Sequence, residues 1–354
     1  MALWKRGRRL KASIFNLPVQ KIRAGWYSDK YFTRTKHILE KSRCHPIVTM
    51  QVFCREHATV CGIDESLAVL KLCSDKPNQL RVSTLYDGDQ VTPWEPVMHI
   101  VGDYTHFAHL ETVYLGILSR RTSVATAVRK VVAAAEGKQV LFFPARFDHY
   151  TVQTGDGYAA FISGALGVST DANAAWWGEH GIGTIPHGLI AAFSGDTVKA
   201  ALVFDHWMPQ SVKRVALVDF DNDCVRTSLA VAEKLRKKLW GVRLDTAENL
   251  WDQSIKEHTK AKKGVCAELV RNVRRALDQA GYRWVKIIIS GGFTAERISQ
   301  FIRLKVPFDA VGVGSAFFRE HVDFTADIVK VNGASCAKVG RWFRENKRLK
   351  QVRF

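Results

Sequence analysis

Short apolar runs alternate with longer segments of helical periodicity through the second half of the chain. Strands are expected at 140–143, 215–220, 241–244, 285–290 and 310–314, with helices over 225–239, 265–280 and 295–304 separating the last four. Strands joined by helices of this length pair in parallel, because the crossover returns the chain to the same end of the sheet. At least five such strands predict a (β/α) barrel or part of one. The first third reads differently. Runs rich in β-formers at 47–53, 58–62, 80–86 and 97–101 are punctuated by the turn Asp87-Gly88-Asp89 and by Pro93 and Pro96, the pattern of a small β-rich lobe. Helical spacing follows at 109–118 and 124–135, which predicts two packed helices. A last strand from 327 is expected to rejoin the first lobe.

At 354 residues the chain suits one large α/β barrel or two domains. The expected organisation is a basic arm over 1–25, an α/β sandwich lobe over 26–120 completed by about 325–340, a barrel over 121–324 and a basic tail over 341–354. No apolar run reaches the roughly 18 residues that a membrane span requires, and the basic N-terminus has no apolar stretch after it, so a cytoplasmic protein without a membrane partner is expected. The formal charge of +18 changes the picture more. Polyanionic small substrates, acidic membranes and nucleic acids all suit it. The basic residues cluster at 5–11, 256–263 and 341–353. A solubilising surface is the preferred reading over a nucleic-acid face, since aromatic-interleaved basic motifs are missing.

Gly291-Gly292 follow the apolar run 287–289, and Gly312-Val-Gly314-Ser315 ends the next strand. Glycine turns at successive strand ends expose N–H groups that can cradle one phosphate, as the last two strands of such barrels often do. His187 closes Gly183-Thr-Ile-Pro-His. A single histidine is more often structural, but near acids at neighbouring strand ends it becomes a candidate nucleophile. Neutral imidazole accepts a phosphoryl group while a carboxylate such as Asp219 fixes the tautomer. Asp219 and Asp221 could instead hold magnesium, and both assignments stay open. Arg146 and Arg243 are candidate clamps for a carboxylate or diphosphate, and Tyr31 and Phe143 are candidates to sandwich a flat ring.

In chain order, Ser28-Asp-Lys-Tyr31, Glu111-Thr-Val-Tyr-Leu-Gly, Thr122-Ser-Val-Ala-Thr126, Phe143-Pro-Ala-Arg146, Gly183-Thr-Ile-Pro-His187, Gly241-Val-Arg-Leu-Asp245, Ser290-Gly-Gly292 and Gly312-Val-Gly-Ser315 resemble nicotinate phosphoribosyltransferase from about 24 to 341. The resemblance implies a type II phosphoribosyltransferase fold, an irregular (β/α) barrel with an N-terminal β-rich sandwich lobe. It implies a homodimer with shared active sites. The implied reaction joins nicotinate to phosphoribosyl pyrophosphate, with Mg2+ and with ATP as co-substrate, through phosphorylation of the histidine at 187. Tyr31, Phe143, Thr184 and Arg243 would then meet nicotinate. Asp29, Arg146, Asp171, Asp245, Gly291, Gly292, Gly312, Gly314 and Ser315 would meet phosphoribosyl pyrophosphate. Nicotinamide or quinolinate as acceptor is the rival within the fold, and a non-catalytic protein using its basic termini to bind nucleic acid or a partner is the rival outside it.

Overall fold

The computed structural model describes residues 7–354, so the first six residues of the expected N-terminal arm lie outside the described chain. The chain forms two compact units. One takes the chain up to Ala127 with Tyr158–Ser163 and Glu320–Phe354; the other takes Val128–Gly157 and Gly164–Arg319. Two six-stranded sheets organise them, built in chain order from β1 (Ile47–Cys54), β2 (Arg81–Thr84), β3 (Pro96–Asp103), β4 (Gln139–Phe142), β5 (Gly167–Val168), β6 (Arg214–Leu217), β7 (Leu239–Leu244), β8 (Lys286–Ile289), β9 (Ala310–Val313), β10 (Phe324–Val331), β11 (Ala334–Ser335) and β12 (Lys350–Val352).

The first unit holds an antiparallel sheet of order β11-β10-β1-β3-β2-β12. Alternation along β1 sends Val48, Met50 and Val52 into an apolar core with Leu70, Val82, Met98 and Ile100, as period-two patterning requires. The strand from 327 does pair with β1, Ala326 standing opposite Val52. The expected basic tail is not free: Lys350–Val352 add an edge strand to β2. Nor are there two helices between 109 and 135. One 24-residue helix, Glu111–Ala134, replaces them. The polar stretch that reads as a break supplies hydroxyls instead. Thr122 Oγ1 accepts from Cys61 N (3.1 Å), Thr126 Oγ1 from Thr59 N (3.0 Å) and Ser123 Oγ from Val322 N (2.9 Å), satisfying backbone donors of neighbouring segments.

The second unit holds an all-parallel sheet of order β5-β4-β9-β8-β7-β6. β6 and β9 are buried along their whole length, as expected of parallel strands covered on both faces. The crossover helix Ala267–Gln279 buries Leu269, Val270, Val273 and Leu277, which recur at helical spacing. The sheet's two ends, β5 and β6, are bridged by backbone. Ile182 N donates to Val168 O (2.7 Å) and Ile185 N to Val215 O (3.1 Å). The segment around Gly183-Thr184 therefore stands where a further stave of the barrel would be. Among the described residues no helix is long and apolar enough to cross a membrane.

Candidate functional site

The carboxyl ends of the parallel strands converge on a cavity of about 610 Å³. Each strand delivers its last residues or the first ones beyond it: Phe143 after β4, Ser169 after β5, Leu217 at the end of β6, Arg243 in β7 and Asp245 after it, Ser290 and the two glycines after β8, Gly312 in β9 and Gly314 after it. Ligand sites form at this end of parallel sheets because side chains and turn N–H groups project there free of the ladder. The segment that bridges β5 and β6 contributes Gly183, Thr184 and His187 to the same wall.

Arg243 is held by three partners. Its Nε donates to Ser290 Oγ (2.8 Å), its Nη2 to Asp245 Oδ2 (3.0 Å) and its Nη1 reaches Thr184 Oγ1 (3.4 Å). Ser290 Oγ donates onward to Asp245 Oδ1 (2.7 Å), which closes a ring through arginine, serine and aspartate. The guanidinium carbon lies 5.5 Å from the centroid of the Phe143 ring, within cation–π range. The result is a fixed cationic fork with an aromatic plate beside it.

His187 begins the short helix His187–Ala192 and places Nε2 3.0 Å from Asp219 Oδ1. The histidine is 47% exposed by side chain and Asp219 only 6%, so the acid stands behind the imidazole and does not line the cavity. Burial pushes the Asp219 carboxyl above the usual range, while the adjacent His187 pulls it back and Asp245 raises it further. An Nε2–H donated to Asp219 leaves the Nδ1 lone pair for chemistry.

The glycines fall into two kinds. Gly291 and Gly292 have φ of +87° and +65°, left-handed backbone that side chains rarely adopt. Gly312 and Gly314 are required by space. A Cβ at either would lie 2.7 Å from a ring carbon, of Phe143 and of Phe147 respectively. Gly183 has open space around it. The close approach is two residues earlier, where a Cβ on Gly181 would sit 2.6 Å from the Thr170 backbone.

Twelve of the sequence-derived site positions fall in the second unit around this cavity or directly behind it: Phe143, Arg146, Thr184, His187, Asp219, Arg243, Asp245, Gly291, Gly292, Gly312, Gly314 and Ser315. Asp171 is not on the wall. Its Oδ1 accepts from Gly181 N (2.8 Å) and fixes the loop leading to Gly183. Asp29 and Tyr31 belong to the first unit, where Asp29 Oδ2 accepts from Thr112 Oγ1 (2.8 Å) and Tyr31 is 59% exposed. The magnesium assignment to Asp219 and Asp221 does not fit. Asp219 is committed to His187, and Asp221 faces away, ion-paired with Arg226 and accepting from Thr227 Oγ1 (3.1 Å). No group of three or more potential metal ligands exists among the described residues. Ser290, Arg319, Phe147, Ser169 and Thr294 also line the cavity and were missed. For Ser290 alone the sequence offered a signal, its place between an apolar strand and a double glycine.

Three arginines (146, 243 and 319) and one carboxylate, Asp245, line the wall among the described residues. The fold and this cationic, glycine-turned mouth define an α/β protein whose cavity suits an anionic small molecule. Residues 29–122 match the family model of the quinolinate phosphoribosyl transferase N-terminal domain. The chain is similar to a nicotinate-nucleotide pyrophosphorylase from Pyrococcus furiosus of solved structure, at 35% identity over 95% of this chain and 85% of that one, with a TM-score of 0.81. It is 30% identical over 65% of its length to the nicotinate phosphoribosyltransferase pncB2 of Mycobacterium tuberculosis, and it spans only 46% of that relative. Human nicotinic acid phosphoribosyltransferase shares the fold at 17% identity, with a TM-score of 0.65 over 88% of this chain and 76% of that one. The chain belongs to the type II phosphoribosyltransferase family.

Proposed function

We propose that the protein is a phosphoribosyltransferase of nicotinate metabolism, joining nicotinate to phosphoribosyl pyrophosphate to give nicotinate mononucleotide and pyrophosphate. The observation that carries this reading is the Arg243–Ser290–Asp245 ring beside Phe143. It offers a planar fork for a carboxylate and, beside it, a plate for an aromatic ring. Gly291, Gly292 and Ser315 would receive the sugar phosphate. Arg146 and Arg319 would take the diphosphate, which leaves C1 of the ribose as the pyridine nitrogen attacks from the opposite side. Positive charge builds on the ribose and negative charge on the departing diphosphate, so cationic groups fixed beside the diphosphate lower the barrier. Magnesium fits as a substrate-borne ion, since it takes most of its oxygens from phosphates and water; Asp245, the one carboxylate on the wall among the described residues, already accepts from Arg243 and Ser290. When bound, the ion would neutralise diphosphate charge.

ATP enters through His187. With Nε2–H donated to Asp219, Nδ1 attacks the γ-phosphorus, the bond to ADP breaks, and the cationic phosphoimidazole is balanced by Asp219. Hydrolysis of that phosphohistidine returns the imidazole. The protein would act as a homodimer in which one copy presents the exposed Tyr31, with Asp29, to the other copy's cavity. A second reading is quinolinate as acceptor, favoured by the family match over 29–122 and by the third wall arginine, Arg319, which suits a second carboxylate.

Chromatography of products separates the readings: nicotinate, nicotinamide and quinolinate offered in parallel with phosphoribosyl pyrophosphate and magnesium, with and without ATP. Mononucleotide from nicotinate, stimulated by ATP and lost in His187→Ala, is expected. Product from quinolinate with release of carbon dioxide and no effect of ATP would establish the second reading. A folded protein giving no product from any acceptor would overturn both.

A further inference from the structure

A second cationic surface lies in the first unit, on residues with no part in the cavity. Trp94 has φ +70°, a conformation that is strained for a bulky side chain and persists only where its surroundings impose it. Its N donates to Cys54 O (2.8 Å), and its ring stacks on buried Phe53 with centroids 5.3 Å apart. Three guanidiniums surround that indole, from Arg55 at 5.3 Å, Arg341 at 5.0 Å and Arg344 at 5.9 Å. Arg344 also lies 4.4 Å from the Trp342 ring, so one guanidinium spans two indoles. Beside them, Lys330 stands 4.1 Å over Phe343. Trp342 is 56% exposed. Arg341 and Arg348 are neutralised by Asp327 (2.7 Å) and Glu95 (2.6 Å). Arg55, Lys330 and Arg344 have no carboxylate at ion-pair distance among the described residues. Residues 338–353 carry seven lysines and arginines against the single acid Glu345.

We propose that this face binds single-stranded nucleic acid, with Trp342 as a base-stacking platform and Arg55, Lys330 and Arg344 as phosphate contacts. An exposed indole interleaved with unneutralised cations is what unpaired bases on an anionic backbone require. An irregular segment, which 341–346 is, supplies no helix to enter the major groove of a duplex. The arrangement corrects the sequence-based expectation that aromatic-interleaved basic motifs are missing: Arg341-Trp342-Phe343-Arg344 is one, and it gains its companions Arg55, Trp94 and Lys330 only on folding.

Fluorescence anisotropy tests the proposal on the full-length protein, with labelled oligouridylate, oligothymidylate and a mixed-sequence duplex of about twenty nucleotides, over a salt series and with excess inorganic pyrophosphate to fill the cavity. Saturable binding to a single strand that survives pyrophosphate is expected, with log affinity falling against log salt at a slope of about −2, since each of three phosphates contributes about −0.7. Trp342→Ala should weaken binding about tenfold or more. Arg55→Glu with Arg344→Glu should bring the slope nearer to zero than −1, with melting curves confirming that each variant is folded. A preference for the uridylate or the thymidylate strand identifies RNA or DNA as the ligand. The proposal falls if no single strand binds, if the duplex binds as well as either strand, if pyrophosphate abolishes binding, or if folded variants keep wild-type affinity. It falls equally if the variants change only the elution volume of the protein, which would make the face an interface between copies.

Discussion

At the scale of single residues, the candidate site depends on side chains whose charge is fixed by partners distant in sequence. Arg243 shows it best, since its fork is oriented by Ser290, 47 positions away, and by Asp245 on its own strand end. Lysine keeps the charge but has no planar fork to engage serine, aspartate and a bound carboxylate together. Arg243→Lys is therefore expected to raise KM for the acceptor acid on the order of tenfold or more, from the loss of one charge-assisted hydrogen bond, with little change in melting temperature. Initial rates against acceptor concentration check this, and an unchanged KM would remove Arg243 from acceptor binding. Arg243, His187 and Asp219 were legible in the sequence because arginine, histidine and aspartate just past apolar runs have few bland uses. The position of Ser290 before a double glycine was a signal, but its role was not legible, since a serine at a strand end is common and this one meets Arg243 only once β7 and β8 lie side by side.

At the scale of elements, the mouth of the parallel sheet is shaped by what cannot be larger. Gly312 leaves room for the Phe143 ring, which is held against Arg243 and cannot turn aside cheaply. Gly312→Ala is expected to destabilise the protein by roughly 1–3 kcal/mol through overpacking and to shift Phe143 from the guanidinium; Phe143→Leu in the same chain should restore most of the stability without restoring acceptor affinity. Denaturant unfolding of the single and double variants decides it. The glycines were visible in the sequence as turns, but their two separate reasons, left-handed backbone at 291 and 292 and ring clearance at 312 and 314, were not. The long helix Glu111–Ala134 carries a different tension. A carboxylate in a helix's first turn is favoured by the backbone dipole, yet burial, with Asp327 and Asp29 nearby, pushes Glu111 from 4.5 up to about 8. Desolvation outweighs the dipole here. The folded chain then holds a proton that the unfolded chain has released between pH 4.5 and 8, so the contribution of this group to stability is complete below that window and is lost as pH rises through it. Glu111→Gln should flatten the pH dependence of the melting temperature and raise it at pH values above the window. An unaltered slope would mean that Glu111 is ionised in the folded protein.

At the scale of the whole chain, periodicity predicted the parallel sheet, because strands joined by helices of this length pair in parallel, and it marked the first third as β-rich without giving its pairing. It did not reveal the discontinuous first unit in full, since a two-residue strand such as β11 leaves no pattern, and the hydroxyl-rich middle of the long helix imitates a loop. The C-terminus shows the cost of reading charge as freedom. Residues 341–354 look like a solvated tail, yet Arg344 N donates to Gln51 Oε1 (2.8 Å), Asn346 Nδ2 to Pro96 O (2.8 Å), and β12 pairs with β2. Gln51 is 2% exposed, so removing the segment strips a buried amide of its partner while uncovering Val352 and Phe354's share of the apolar core. An unsatisfied buried polar group alone costs about 1–3 kcal/mol, and the lost edge pairing adds to it. Deletion of 341–354 is therefore expected to lower the melting temperature clearly, and Gln51→Leu in the shortened chain should recover part of the loss by replacing the orphaned amide with an apolar group. Calorimetry of the three proteins checks this. A shortened chain that melts with the parent would show that the segment is the dispensable tail its composition suggests, held to the sheet by contacts that contribute nothing net.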